Sequence, residues 1–183
     1  MKAGRKGLTA MEVVIAVALV AILAGVAMPV FLTVIQNYRF KGAVRSVASD
    51  IRYAQSLAVT NGGIYGFHWG GDPNEVSPPG PNFYRIEKNT GTVCNWPLVG
   101  DTVGSNANVI TNWFDLSAEF QGITIDSITD STPVAIGGVA FNSRGASDNP
   151  CTGVTYPITI TVSNASGTTK TIEVRSAGSV RIQ

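Results

Sequence analysis

A chain of 183 residues, 44 % of them hydrophobic, suits one globular domain with an appendage better than two independent cores. The formal net charge of +1 is unevenly distributed, because from Gly62 onward six Lys/Arg face ten Asp/Glu and the distal part stands near −4. A surface of that sign repels polyanions overall, which argues against a dedicated nucleic-acid-binding domain.

The first element is an apolar block behind a short basic leader. Lys2, Arg5 and Lys6 precede it, and Arg39, Lys41, Arg45 and Arg52 follow it. Residues 13–35 contain no charged side chain and only Thr33 as a polar one. As a helix rising ~1.5 Å per residue, that stretch is long enough to cross a ~30 Å hydrocarbon core. Three readings compete: a cleaved secretory signal, a plain signal anchor, or an anchor that is trimmed and retained. Gly25-Val26-Ala27 is a tolerable small-residue cleavage site for the first. Two features oppose it. Glu12 sits at the start of the apolar run, where a charge is expensive. The helical pattern also continues past Ala27 through Phe31, Ile35 and Phe40. It then becomes an amphipathic stretch with Val44, Val47, Ala48, Ile51, Ala54 and Ala58 at helical spacing. Asn61-Gly62-Gly63 supplies the stop. The expectation is one helix over residues 8–60, ~80 Å long. Pro29 withholds a backbone donor, so a kink or local melting is expected there. Such a helix needs lipid or like helices around its first half and a sheet under its second.

Beyond Gly62 the texture changes to short β-type runs between turns. Residues 64–69 form one candidate strand. Residues 83–88 and 92–96 flank Asn89-Thr90-Gly91, a hairpin signal. Residues 123–128 and 134–142 follow. Residues 158–162 alternate cleanly, turn at 164–167, and return through 171–175; residues 179–182 close the chain. Alternation suits antiparallel sheets with one buried face. Ile158, Ile160, Val162, Ile172, Val174, Val180 and Ile182 are expected to share a core with the helix stripe. Residues 70–81, 100–112 and 144–156 read as loops.

The leader ends Lys6-Gly7 and continues Leu8-Thr9-Ala10-Met11-Glu12. This resembles the class III signal of type IV pilins and type II secretion pseudopilins, in which a prepilin peptidase cuts after the Gly and methylates the new amine. The resemblance implies a cut between Gly7 and Leu8, with N-methylation at Leu8. It makes Glu12 the fifth mature residue, the family's usual place for this Glu, and Pro29 the twenty-second. Leu8 departs mildly from the common Phe, and Ala10 is smaller than the usual Leu. A lone carboxylate at Glu12 is unfavourable in lipid, and the cationic N-terminus of a neighbouring subunit is its cheapest partner, so Glu12 is expected to act in assembly. The distal half resembles the GspH/FimT-type minor pilins and pseudopilins. The resemblance rests on Ser56-Leu57-Ala58-Val59 before a Gly turn, on Val139-Ala140-Phe141-Asn142-Ser143-Arg144-Gly145, and on the ending Ile172-Glu173-Val174-Arg175 with Gly178-Ser179-Val180-Arg181-Ile182. The family often has Gly-Arg-Val where Ser179 stands here.

The fold implied is α+β, a long N-terminal helix, transmembrane then amphipathic, packed on an antiparallel β head. Residues 1–7 are the leader, 8–36 the transmembrane and filament-core helix, 37–61 the amphipathic helix, and 62–183 the head. The implied function is a structural subunit of a type IV pilus or a type II secretion pseudopilus, in its priming or tip complex. Its partners would be the prepilin peptidase, other pilin or pseudopilin subunits and inner-membrane lipid, with the head outside the cytoplasm. Outside the inner membrane Cys94 and Cys151 can form one disulfide, closing a loop worth up to ~4 kcal/mol in the chain-entropy model; in the cytosol they would be buried thiols.

No catalytic constellation is visible, and neither an enzyme nor a cofactor is expected. His68 is the only histidine and reads as a packed or surface side chain. Two Cys and one His at these spacings do not form a local zinc site. Asp126, Asp130 and Asp148 lack the Gly and terminal Glu of a calcium loop. Asn164-Ala165-Ser166 matches a glycosylation sequon but is better explained as a hairpin turn. Trp69, Trp96 and Trp113 fit a core or an interface. Arg39, Lys41 and Arg45 suit phospholipid headgroups before assembly, neighbouring subunits after it, or plain solvent. A DNA-uptake role is disfavoured by the acidic head and by Ser179. The rival class is a secreted or anchored β-domain that binds a ligand, with a mature chain starting near Met28 and no filament.

Overall fold

The structure is a computed structural model that describes residues 9–71, 79–89, 97, 100–132, 136–147 and 154–183, excepting the side chains of Pro29 and Val30. The chain divides into two compact units after Arg39. Helix α1, Ala10–Asn61, contributes to both.

In the first unit the helix begins at a capping box. Thr9 Oγ1 accepts from Glu12 N at 3.3 Å, and Glu12 Oε2 accepts from Thr9 N at 2.8 Å and from Thr9 Oγ1 at 3.0 Å. Two of the N-terminal amides that a helix leaves without partners are thereby satisfied. None of the described side chains of this unit is buried. The backbone is helical through position 29.

The second unit starts where the sequence turns amphipathic. Phe40, Ala43, Val44, Val47, Ala48, Ile51, Ala54 and Ala58 are all buried, and they form one stripe at 3.6-residue spacing. The helix ends in a glycine cap. Gly62 adopts φ 64°, and Gly63 N donates to Ala58 O at 3.2 Å, the pattern in which a left-handed residue turns the chain away.

Two four-stranded antiparallel sheets share the core with that stripe. The first contains β1 (Tyr65–Trp69), β2 (Phe83–Lys88), β3 (Phe114–Asp115) and, beyond β4, β5 (Gly138–Phe141), in the order β3-β2-β1-β5. The second contains β4 (Ile123–Thr129), β6 (Ile158–Asn164), β7 (Thr169–Val174) and β8 (Val180–Ile182), in the order β4-β6-β7-β8. A short helix α2, Leu116–Glu119, follows β3 directly; Asp115 caps it by accepting from Ser117 N at 2.9 Å and Ala118 N at 3.3 Å.

The alternation read from the sequence places Ile158, Ile160, Val162, Ile172 and Val174 fully inside. Two expected core residues differ. Val180 is half-buried at the core margin and Ile182 is 38 % exposed, because β8 is an edge strand with no strand outside it. The segment expected as a loop over 100–112 is partly a sheet edge. Lys88 N donates to Asn108 O at 2.7 Å and Ile110 N to Ile86 O at 2.9 Å, and Val109 is buried. The hairpin expected across Asn89-Thr90-Gly91 falls on residues 90–96, outside the described residues. Within them β2 is flanked by β1 on one side and by residues 108–115 on the other.

The two sheets meet α1 at Gln55. Its side-chain amide donates to Gly145 O at 2.7 Å and to Gly178 O at 3.0 Å. Gly145 lies in the turn after β5 and Gly178 in the turn between β7 and β8, so one side chain joins a turn from each sheet. Gly178 sits at φ 83°, and a Cβ there would overlap Gly145 O, so only glycine lets the turns approach.

Candidate assembly segment and head surface

Among the described residues, α1 is the one helix long and apolar enough to cross a membrane, and its apolar window is unburied. At the start of α1 Glu12 uses Oε2 to cap its own helix, and Oε1 makes no hydrogen bond among the described residues. The carboxylate therefore has one oxygen committed and one open. Gly7 and Leu8, where cleavage and methylation are expected, lie outside the described residues. So do Cys94, Cys151 and Trp96. Pro29 lies inside the helical span.

The head carries a buried polar cluster. Residues 85 and 87 of β2 point away from α1, whereas Tyr84 and Ile86 point toward it. Arg85 and Glu87 are both fully buried, and Arg85 Nε pairs with Glu87 Oε1. Arg85 also donates through Nη1 to Asp101 O at 3.0 Å and through Nη2 to Pro97 O at 3.1 Å. Its guanidinium lies 4.3 Å from the centre of the Trp113 ring. His68 pairs with Arg85 across β1 and β2, and its Nδ1 stands 3.1 Å from Glu87 Oε1. Its ring tilts against Trp113 at 5.5 Å. Desolvating two charges is costly, and Glu87 Oε2 is buried without a hydrogen-bond partner among the described residues, so the pair is not strongly stabilising. What it does is pin Pro97, Asp101 and Trp113 onto the outer face of the first sheet. His68 is thus a packed histidine in a structural network.

On the helix side, Tyr84 Oη donates to Asp50 Oδ2 at 2.7 Å. Burial, and then the nearby Glu119 charge, hold the Asp50 carboxyl above its ordinary range, offset in part by the Tyr84 hydrogen bond. Burial likewise pushes the Tyr84 hydroxyl well up, and the bond to Asp50 adds to that. Arg52 Nη2 donates to Val180 O at 3.0 Å and ties α1 to β8.

The other singled-out residues are structural where they are described. Trp69 is buried and donates from Nε1 to Pro81 O at 2.8 Å. Trp113 is half-buried over Arg85. Asp126 accepts from Thr124 Oγ1 at 2.8 Å and Ser163 Oγ at 2.7 Å. Asp130 is held by Thr132 and Thr155, while Asp148 lies outside the described residues. No three His, Cys, Asp or Glu side chains among the described residues gather as metal ligands. Asn164 Oδ1 accepts from Thr168 N at 2.8 Å, a turn role for the sequon asparagine. Sequence reading missed the Thr9 capping role, although Thr-x-x-Glu before an apolar run is its signature. It also missed Gln55 and Asp50, whose partners come from distant segments, and the Arg85–Glu87 pair, whose i, i+2 spacing on β2 gives no sign that Pro97, Asp101 and Trp113 will cover it.

No family model and no curated protein matches the chain. Among solved structures it is similar to the type IV minor pilin FimU of Pseudomonas aeruginosa, at 14 % identity and a TM-score of 0.50, over 80 % of this chain and 90 % of that one. It is similar to the same degree to the minor pseudopilin EpsH from the type 2 secretion system of Vibrio cholerae. There the identity is 14 % and the TM-score 0.50, over 79 % of this chain and 96 % of that one. The long N-terminal helix with its two antiparallel sheets is therefore the pilin fold, as the resemblance implied. FimU and EpsH, one a minor pilin and the other a minor pseudopilin, share it.

Proposed function

We propose that this chain is a structural subunit, a minor pilin or minor pseudopilin, made as a membrane-anchored precursor and assembled into an extracytoplasmic filament. The observation that carries the reading is the pairing of a pilin fold with a first unit whose described side chains are all unburied. Residues 13–35 carry no charge, so this segment must find lipid or other apolar helices. In the precursor, lipid of the inner membrane covers it, with the leader cytoplasmic and the head outside. In the filament, the equivalent helices of neighbouring subunits do. A prepilin peptidase removes residues 1–7 between Gly7 and Leu8 and methylates Leu8. The amine so created lies one residue before the Thr9–Glu12 cap. Glu12 Oε1 makes no hydrogen bond among the described residues and can accept from the amine of a neighbour, which sets axial register.

The fold likeness to two minor subunits supports placement in the priming or tip complex of a type IV pilus or a type II secretion pseudopilus. The chain acts by assembling.

The test is the intact mass and N-terminal peptide of the mature protein from its native host. The expected product starts at Leu8 and carries one added methyl group. A product starting near Met28 would overturn the reading in favour of a secreted β-domain. An uncut chain in the presence of active prepilin peptidase would make it a simple signal-anchored protein.

A further inference from the structure

Residues 101–112 run along the edge of the first sheet as a strap that is stitched closely to itself. Asp101 Oδ2 accepts from Asn106 Nδ2 at 2.8 Å, Thr102 N donates to Ser105 Oγ at 2.8 Å, and Asn108 N donates to Asn106 Oδ1 at 3.0 Å. Val103 N donates to Asn112 Oδ1 at 3.0 Å, which draws the two ends together. A compact loop with near ends and its own side-chain bonds is suited to move as one piece. Its pairing with β2, by contrast, is irregular. In a regular antiparallel ladder, N–H and C=O groups of facing residues exchange in pairs. Here Ile86 O accepts from both Ile110 N at 2.9 Å and Thr111 N at 3.2 Å, and Ile86 N donates to the Thr111 hydroxyl at 2.8 Å instead of to a carbonyl. Lys88 N donates to Asn108 O at 2.7 Å, and Glu87 and Val109 form an isolated bridge. Val109 is the one buried apolar side chain of the strap, whereas Val103 is 50 % exposed.

Behind this edge lie Arg85 and Glu87, both fully buried. Arg85 Nη1 donates to Asp101 O at 3.0 Å, yet Glu87 Oε2 has no hydrogen-bond partner among the described residues. A buried carboxylate oxygen without a partner bears its full desolvation cost, and water admitted beside it relieves that cost. We propose that residues 101–112 open from the first sheet as a unit while the rest of the head stays folded. Hydration of the Arg85–Glu87 pair offsets part of what the broken bonds contributed. The second sheet has no such relief. β6 and β7 pair along their whole length, and Ile158, Ile160, Val162, Ile172 and Val174 are fully buried. The strap is therefore the low-stability end of the head. Its opening leaves Ile86 and Lys88 as an unpaired strand edge with the charged pair behind it.

The experiment is amide hydrogen exchange of the full chain in non-ionic detergent, read residue by residue by NMR at increasing urea below the unfolding midpoint. The amides of Ile86, Lys88, Ile110 and Thr111 should share one protection factor, about 100-fold or more below that of Ile160 and Ile172. That factor should hardly change with urea, because opening the strap exposes little surface. Glu87 separates the two behaviours on a single strand. Its amide faces β1, so it should stay with the slow set although both of its neighbours exchange with the strap. Ile172→Val lowers the stability of the whole head, so it should speed exchange at Ile160 by about fivefold and leave the strap-bound amides within about twofold of the parent. The proposal is overturned if the strap-bound amides follow urea with the same slope as Ile160, or if Ile172→Val speeds both sets alike. Either result means that the strap opens only when the head unfolds. It is equally overturned if those amides differ from one another by more than about tenfold, since they would then fray singly and not open as a unit.

Discussion

Gln55 offers the sharpest test of how the head is held together. Its amide donates to Gly145 O at 2.7 Å and Gly178 O at 3.0 Å, both in partly buried surroundings. Replacing it by Ala removes both donors and leaves two carbonyls facing a space once filled by the side chain. A hydrogen bond contributes about 1 kcal/mol net, and a buried acceptor left without a partner costs about 1–3 kcal/mol. Because water can reach the site partly, the loss should be about 2–3 kcal/mol. A domain of this size loses about 2–4 °C of Tm per kcal/mol, so the midpoint should fall by roughly 5–10 °C. The assay is far-UV circular dichroism of the full chain in non-ionic detergent, followed through the unfolding of the head. Gln55→Glu sharpens the result. A carboxylate accepts but cannot donate, and it would face two carbonyl oxygens, so at pH 7 the loss should exceed that of Gln55→Ala. The repulsion raises the folded-state pKa of the introduced carboxyl above its unfolded value. Its penalty is therefore present at high pH and relieved as pH falls through that folded pKa. A midpoint for Gln55→Ala within 1 °C of the parent would refute the idea that this amide joins the two sheets.

Three further outcomes are expected. Asp50→Asn should raise the midpoint at pH 7, since an amide still accepts from Tyr84 without the cost of a poorly solvated charge. The folded pKa of Asp50 is raised above 3.8, so the gap between variant and parent should open as pH rises through that folded pKa and close below 3.8, where both side chains are neutral. Paired melts across that range check the sign. Glu87→Gln alone should destabilise the head by about 3–5 kcal/mol, because the Arg85 charge would stay buried without its carboxylate. Arg85→Met with Glu87→Leu should cost far less than the sum of the single changes, which chemical denaturation of all the variants would measure. Gly178→Ala should cost about 2–4 kcal/mol, since φ is 83° and the new Cβ overlaps Gly145 O; a loss below 0.5 kcal/mol in the same denaturation series would contradict the close approach of the two turns.

Much of the architecture can be read from local pattern. The apolar run at 13–35, the stripe from Val44 to Ala58 and the Gly62 stop are periodic or conformational signals, and each depends only on near neighbours along the chain. The same holds for the alternation in β6 and β7, where inward residues recur at every second position because successive side chains point to opposite faces. Edge effects are less legible. Ile182 has the pattern of a core residue and stays partly exposed, because no further strand among the described residues pairs with the outer side of β8. Residues 108–111 look like a loop, yet they pair along β2, since backbone pairing needs no side-chain signature.

The sequence by itself determined the long helix, its division into an apolar and an amphipathic half, the antiparallel β character of the head, and the Gly7–Glu12 spacing behind the assembly reading. Tertiary structure alone decided that the strands split into two sheets of four, that Arg85 and Glu87 are sealed beneath Trp113, and that Gln55 joins a turn from each sheet. It also decided that Glu119 of α2 stands close enough to Asp50 of α1 for its charge to act there. The physical reason is range. Helix caps, turns and amphipathic stripes are set by residues within a few positions of one another. Burial of a charge pair, or the acidity of a flank built from Asp50 and Glu119, depends on which distant segments the packed core brings together.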